Sequence, residues 1–202
     1  MTDWDERFSE GDYPVAPDPS PVLRDHLHAF PDGRALDVAA GTGRNALFLA
    51  EHGYEVDAVD QSRVGIEIAR EAATERGIEE QIEWIQADAS EFVFPRETYD
   101  VIAISFYRFV DRLQDLHAAL APGGVFFYEA HLRTTDDAPR GPSTDRYRFA
   151  ANELLRACMG LTVLHYEEKT YEGDDRATAL ATVLARKSTG DAQSYPHVDD
   201  RR

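Results

Sequence analysis

The chain is short of several things that other proteins rely on. Among its 202 residues there is one cysteine, Cys158, and only two lysines, Lys169 and Lys187. A single thiol forms no internal disulfide, so the fold is expected to suit a reducing, cytoplasmic environment. No apolar run approaches the roughly 20 residues of a membrane helix. The strongest ones, Val101–Phe106 and Gly124–Tyr128, are far shorter. The opening MTDWDERF is acidic and carries no apolar stretch, so no secretory leader is expected there. Positive charge is scarce as well: 38 Asp and Glu face 21 Lys and Arg, a net charge of −17. Such a surface repels phosphate backbones and anionic lipid, so neither nucleic acid nor a membrane is the expected partner. Two readings fit the acidic, arginine-rich balance. One is a halophilic host, whose salty cytoplasm keeps acidic surfaces hydrated and screens their repulsion. The other is an ordinary acidic protein from a GC-rich genome. Apolar residues make up 43% and aromatics 10%, which excludes a wholly disordered chain. A domain of this size buries roughly 70% of its unfolded surface and needs no metal or disulfide staple.

Residues 1–33 read as an N-terminal arm with a lid helix, 34–187 as one main domain, and 188–202 as a disordered acidic and polar tail. The arm contains the Pro-rich Tyr13–Pro21 and a helix over Leu23–Phe30, closed by Pro31-Asp32-Gly33. Strands are expected at 34–39, 55–60, 82–86, 99–105 and 125–131. Helices are expected at 44–52, 62–76, 111–120 and 150–159. Ser62 is the N-cap of its helix and Gly77 closes it. Asp111 and Gln114 resemble a capping box. Pro122-Gly123-Gly124 reads as a turn. Strands alternating with helices predict a parallel α/β sheet covered on both faces. Leu161–Tyr171 and Ala177–Arg186, joined by the turn Glu172–Asp175, predict a hairpin that closes one sheet edge. There is no internal repeat.

The informative segment is Ala35–Asp60, ALDVAAGTGRNALFLAEHGYEVDAVD. A strand ends near Ala39, a Gly-x-Gly turn follows at Gly41 and Gly43, and a helix starts at once. Glycine lets the backbone turn tightly and approach a ligand. The helix start offers free N–H groups and a positive dipole end. Asp60 ends the second strand, seventeen residues after Gly43, where its carboxylate can accept both hydroxyls of a ribose. Gly41, Gly43 and Ala46 also fit the dinucleotide fingerprint of a nicotinamide-dependent oxidoreductase. Asp37, inside the first strand, argues against that. An acid there repels a pyrophosphate but welcomes an ammonium group. S-adenosylmethionine carries an ammonium, so the spacing favours it over NAD. Asp88, after the third strand, can accept the adenine amino group, with the Ala89 N–H facing a ring nitrogen. Ser105 ends the fourth strand, whose tip faces the transferred methyl.

The motifs LDVAAGTGRN, EVDAVDQS, QADAS, YDVIAISF and APGG before VFFYEA resemble those of the class I S-adenosylmethionine-dependent methyltransferases, across roughly residues 35–187. The first of them and the ending GLTVLHYEEKTY resemble most the small-molecule branch of tellurite-resistance and thiopurine methyltransferase-like proteins. The resemblance implies a Rossmann-like seven-stranded sheet of order 3-2-1-4-5-7-6, its last strand antiparallel, with helices on both faces. It makes 34–187 the methyltransferase domain, S-adenosylmethionine the cofactor and S-adenosylhomocysteine the product. It also implies that Asp37 contacts the methionine part directly or through water, and that Ala39, Gly41 and Gly43 form the loop. Asp60 would bind the ribose, Gln61 flank the adenine, Asp88 and Ala89 hold its edge, and Ser105 approach the methionine part. Ala39 departs from the family, in which many members have glycine.

Methyl transfer from a sulfonium needs mainly proximity, orientation and desolvation. A general base is needed only if the accepting atom carries a proton near neutral pH. Tyr107, Glu129 and His131, near the strand tips, are the candidate catalytic groups. Trp4 and Tyr13, with Phe8, could cover the sulfonium by cation–π attraction. Arg108, Arg140 and Arg148 are candidate clamps for an anionic acceptor. The run ISFYRF lacks the Asn/Asp-Pro-Pro-Tyr motif of amino-group base methylation, and Cys158 is too late in the chain to be a cytosine-attacking nucleophile. His26 and His28 face apart on a helix, so no metal site is expected. The expected activity is therefore methyl transfer to a small-molecule substrate by a monomer or homodimer. A non-catalytic S-adenosylmethionine-binding regulator is the alternative.

Overall fold

The computed structural model describes residues 4–11, 13–15, 17–135, 141–172, 177–193 and 195. Seven strands form one sheet: β1 (Arg34–Val38), β2 (Glu55–Asp60), β3 (Ile82–Gln86), β4 (Tyr99–Ser105), β5 (Leu120–His131), β6 (Thr162–Tyr171) and β7 (Thr178–Arg186). Their order is β3-β2-β1-β4-β5-β7-β6, as the family resemblance implies. The first five pair in parallel, and β7 runs antiparallel to both β5 and β6. The helices are α1 (Trp4–Ser9), α2 (Pro21–His26), α3 (Arg44–Glu51), α4 (Arg63–Arg76), α5 (Leu113–Ala119) and α6 (Glu153–Ala157).

Period-2 alternation divides the core between the two faces. Leu36, Val38, Ile102, Ile104, Phe126 and Tyr128 enter one cluster. Their strand neighbours Ala35, Val101, Ala103, Val125 and Phe127 enter the other. Both faces are apolar, so the central strands read as continuous apolar runs, which a parallel sheet with helices on each side requires. β1 lies between β2 and β4, and the chain crosses to the other half of the sheet there. In sheets of this topology the strand tips at that switch point border the ligand crevice.

Local signals were met in part. Ser62 caps α4 by accepting the Gly65 N–H at 3.0 Å, and Gly77 closes it at φ 67°. The capping box at Asp111 does not form. Residues 110–112 make a 3-10 turn, α5 starts at Leu113, and its N-cap is Arg112. The Arg112 guanidinium turns back instead to the carbonyls of Ala89, Ser90 and Phe92. Pro122-Gly123-Gly124 is not a separate turn but lies within β5. Pairing shifts there from Tyr99–Leu120 to Val101–Val125. A Cβ on Gly124 would sit 2.9 Å from the Ala121 carbonyl and 3.0 Å from that of Tyr99, so only glycine fits. The helix expected over 150–159 is confined to Glu153–Ala157. The helix expected over 23–30 divides into α2 and a 3-10 turn at Leu27–Ala29. Most of the expected hairpin turn, and much of the expected C-terminal tail, lie outside the described residues. Among the described residues no helix is long and apolar enough to cross a membrane.

Candidate functional site

The crevice is built by the loop from β1 to α3. Ala39, Gly41 and Gly43 all have positive φ, at 57°, 55° and 89°. Glycine takes this conformation without strain, whereas Ala39 holds it at a cost of about 1 kcal/mol. Two acids fasten the loop. Asp60, at the tip of β2, accepts the Gly41 N–H at 2.7 Å on one oxygen and the Ser62 N–H at 2.8 Å on the other. Asp37 is 1% exposed. It accepts the Ala46 N–H at 2.9 Å and the Asn45 side-chain amide at 3.1 Å. Asn45 also donates to the Ser105 hydroxyl at 3.2 Å, which ties α3 to the tip of β4.

Burial dominates the electrostatics of both acids. Loss of hydration pushes the Asp37 carboxyl up to about 7, against the opposing pull of its Asn45 and Ala46 hydrogen bonds. Burial raises Asp60 too, against its bonds to Ser62 and Gly41. A cation placed between them would relieve both. Asp37 has almost no open surface, so a ligand would meet its charge through Asn45, Ser105 or water.

On the far side of the loop, Gln61 is exposed and its carbonyl lies 3.4 Å from the Gln86 side-chain amide. Asp88 is exposed and caps its own turn by accepting the Ser90 N–H at 2.8 Å, while Ala89 is buried. Tyr107 leans to the same side. Burial raises its phenol, and the charges of Asp88 and Asp60 raise it further. It stacks on Phe109 with ring centres 5.4 Å apart.

The N-terminal arm crosses the crevice. Asp5 accepts from the Ser62 hydroxyl and the Val64 N–H, fixing α1 to the start of α4. Trp4, Phe8 and Tyr13 cluster with ring centres 5.3 to 5.8 Å apart. A Cβ on Gly41 would lie 3.3 Å from the Phe8 ring, and one on Gly65 3.0 Å from it. Both glycines therefore let an aromatic ring rest on bare backbone. Further along the arm, the Thr42 hydroxyl donates to the Pro14 carbonyl at 3.0 Å. The Arg44 Nε donates to the Asp18 carbonyl at 2.8 Å.

The tips of β4 and β5 form the other wall. Phe106, just past β4, has φ 60° and is 38% exposed. A bulky residue held at positive φ marks a site whose surroundings impose it. Its ring packs against the Arg44 guanidinium, 4.9 Å from the ring centre, and the His131 imidazole, 5.0 Å away in a stacked pair. Gly141 packs against His131, where a Cβ would come within 2.5 Å of the ring. Burial lowers His131 to about 4, with a smaller contribution from the Arg148 charge. The imidazole is thus neutral at ordinary pH, and its Nδ1 is buried with no hydrogen-bond partner among the described residues. Glu129 is 3% exposed and faces Ser20, Thr182 and Arg44.

Two of the three arginines expected as anion clamps are engaged elsewhere. Arg148 is 3% exposed, and it donates to the Pro142 and Leu132 carbonyls at 2.9 Å, so it holds the loop after β5. Arg108 pairs with Glu153 and lies over Phe149. Arg140 lies outside the described residues. Arg44 and Asn45 were missed by motif reasoning. Their signal is two polar residues opening an otherwise apolar helix, whose first turn points at the strand tips.

The donor set suits adenosine joined to a cationic amino acid. It offers a carboxylate at the tip of β2, a buried acid beside the loop, exposed polar groups at Gln61 and Asp88, and an aromatic ring on the loop backbone. A diphosphate would meet two acids, and the nearby cation Arg44 is already paired. A model of the methyltransferase domain family matches residues 35–124. The demethylmenaquinone methyltransferase of Thermus thermophilus is 40% identical over 98 residues, which is 45% of this chain and 44% of that protein. The tRNA 5-carboxymethoxyuridine methyltransferase of Escherichia coli is 33% identical over 108 residues, 48% of this chain and 41% of that protein. The matches thus span less than half the length of either curated relative. TehB from Haemophilus influenzae superposes with a TM-score of 0.72 at 24% identity, over 92% of this chain and 67% of that one, a likeness of fold.

Proposed function

We propose that this protein transfers a methyl group from S-adenosylmethionine to a small-molecule acceptor, in the manner of the small-molecule methyltransferase branch. The single observation that carries this reading is the paired-acid loop. Asp37 and Asp60 flank the turn at Gly41 and Gly43, at a strand-tip crevice roofed by aromatic rings. When bound, S-adenosylmethionine supplies a methyl on a positively charged sulfur, already activated for in-line displacement. The protein's part is to bind, orient and exclude water.

In this reading Asp60 accepts from the ribose hydroxyls while keeping the Gly41 and Ser62 amides, since each carboxylate oxygen can accept more than one bond. Asp37 favours the ammonium end electrostatically. Gln61, Asp88 and Ala89 border the adenine, and Tyr107 stands on that side too. Ser105 and Asn45 face the methionine part. Trp4, Phe8 and Tyr13 shut out water over the loop, with the Arg7 guanidinium already lying over the Trp4 and Tyr13 rings at 5.4 and 5.5 Å. His131, kept neutral by burial, is the candidate to take a proton from an acceptor that carries one. This assigns residues 4–33 to a covering arm and 34–187 to the methyltransferase domain.

The acidic surface argues against RNA as acceptor, although one relative is named for action on tRNA. It also supports a salt-adapted host, in which case far-UV circular dichroism would show folding strengthened in molar KCl. Full folding in dilute buffer would count against that adaptation. The test of the function is formation of S-adenosylhomocysteine with a panel of thiol, amine, hydroxyl, carboxylate and oxyanion acceptors, with transfer RNA included. Turnover with one small-molecule class supports the reading. Cofactor binding with no turnover on any acceptor favours a regulator, and turnover on RNA alone contradicts it.

A further inference from the structure

Glu129 sits at the end of β5 beneath the arm, and its surroundings are those of a fastening point. One oxygen accepts the Ser20 hydroxyl at 2.8 Å and lies 3.5 Å from the Thr182 hydroxyl. The other faces an Arg44 guanidinium nitrogen at 3.4 Å. Ser20 is fully buried, and Glu129 is nearly so. A carboxylate taken this far from water is tolerated only if its oxygens are engaged, and removing one partner leaves it stranded. Arg44 is held in turn at three places: Glu129, the Asp18 carbonyl and the Phe106 ring. Glu129 therefore touches the arm on one oxygen and the cation that packs on Phe106 with the other.

The arm has a second anchor. Asp5 binds the start of α4 on the adenine side, whereas Ser20 binds β5 on the acceptor side. Between them the Thr42 hydroxyl holds the Pro14 carbonyl, and Phe8 lies on the loop backbone. Closure over the cofactor loop is thus fixed at two opposite ends. The acceptor-side end is also what orients Arg44.

We propose that Glu129 is a positioning residue, which latches the arm through Ser20 and aims Arg44 over Phe106. Arm closure and placement of the Phe106 wall then form one unit. This rests on the reading of the crevice as the S-adenosylmethionine site. A proton-accepting role for Glu129 makes a different prediction, because it would leave Ser20 without consequence for cofactor binding.

The test uses the full chain and two readouts: calorimetric titration with S-adenosylhomocysteine, and the rate of trypsin cleavage after Arg7 with and without that ligand. The variants are Ser20→Ala, Ser20→Thr, Glu129→Gln and the Ser20→Ala/Glu129→Gln pair. Ser20→Ala and Glu129→Gln are each expected to weaken S-adenosylhomocysteine about tenfold, as loss of one buried charge-assisted hydrogen bond would. Each is also expected to abolish ligand protection of Arg7. Ser20→Thr restores both readouts. The double variant is no weaker than the stronger single one, since both act on one latch. Unchanged affinity and protection in Ser20→Ala, or fully additive losses in the pair, overturn the latch. If Glu129→Gln fails to fold, Ser20→Ala and its threonine rescue decide the matter alone. A wild-type chain that does not bind S-adenosylhomocysteine overturns the cofactor reading as well.

Discussion

Replacing Asp37 by Asn should stabilise the protein while weakening its ligand. Burial pushes the wild-type carboxyl from an ordinary value of 3.8 up to about 7 in the folded chain, because it penalises the charge more than two hydrogen bonds favour it. At about 1.4 kcal/mol per pH unit, that interval is worth about 4 kcal/mol. The sign follows from where the proton is held more tightly. The folded state binds it better, so the contribution is present below about pH 4 and is lost as pH rises through about 7. Asparagine has nearly the same shape, accepts from the Ala46 amide, donates to Asn45 once that side chain turns its amide oxygen toward it, and never ionises. Stability of the wild type relative to Asp37→Asn should therefore fall by about 4 kcal/mol between about pH 4 and about pH 8. For a chain of this length that is a gap of roughly 10 °C in midpoint. Urea unfolding at several pH values, at constant high salt, reads it directly. Affinity for S-adenosylmethionine should drop in the same variant, since the ammonium loses its acid. The reasoning fails if the two stability curves run parallel with pH, or if the variant is the less stable protein near pH 8.

Ala39→Val should destabilise by about 1 to 2 kcal/mol, because a β-branched side chain resists φ 57°, and urea unfolding checks it. Phe8→Ala removes the ring that rests on Gly41 and Gly65. It should speed trypsin cleavage after Arg7 and weaken S-adenosylhomocysteine in calorimetry by about tenfold. Once an acceptor is identified, His131→Phe should keep the stack on Phe106 and the cofactor affinity but lower kcat. The acid limb of the wild-type profile should fall near pH 4, where burial places His131, and a limb near pH 6.5 would contradict that assignment.

What the sequence made legible was what local chemistry dictates. Val101–Ile104 is apolar on both faces, Ser62 and Gly77 carry helix ends, and the glycines at 41 and 43 take the left-handed turn that an open loop demands. The sheet order itself came from the resemblance, and β7 against β5 follows it. What was not legible depends on distant partners. Asp111 has a capping pattern, yet Arg112 reaches back to three carbonyls around Ala89–Phe92 and sets the start of α5 elsewhere. Arg148 sits in a locally neutral stretch that suggests a clamp, but burial binds it to the Pro142 and Leu132 carbonyls. The arm was readable as a lead-in with aromatic rings. Its fastening was not, because Ser20 and Glu129 stand 109 residues apart and no local pattern joins them.

The most direct trial of the central claim is a calorimetric titration of the full chain at neutral pH, first with S-adenosylmethionine and then with NADH. A one-to-one S-adenosylmethionine isotherm, weakened in Asp60→Ala and absent for NADH, is the result that two acids around this loop require. Uptake of NADH in preference, or S-adenosylmethionine binding indifferent to Asp60, would show that the crevice serves another ligand.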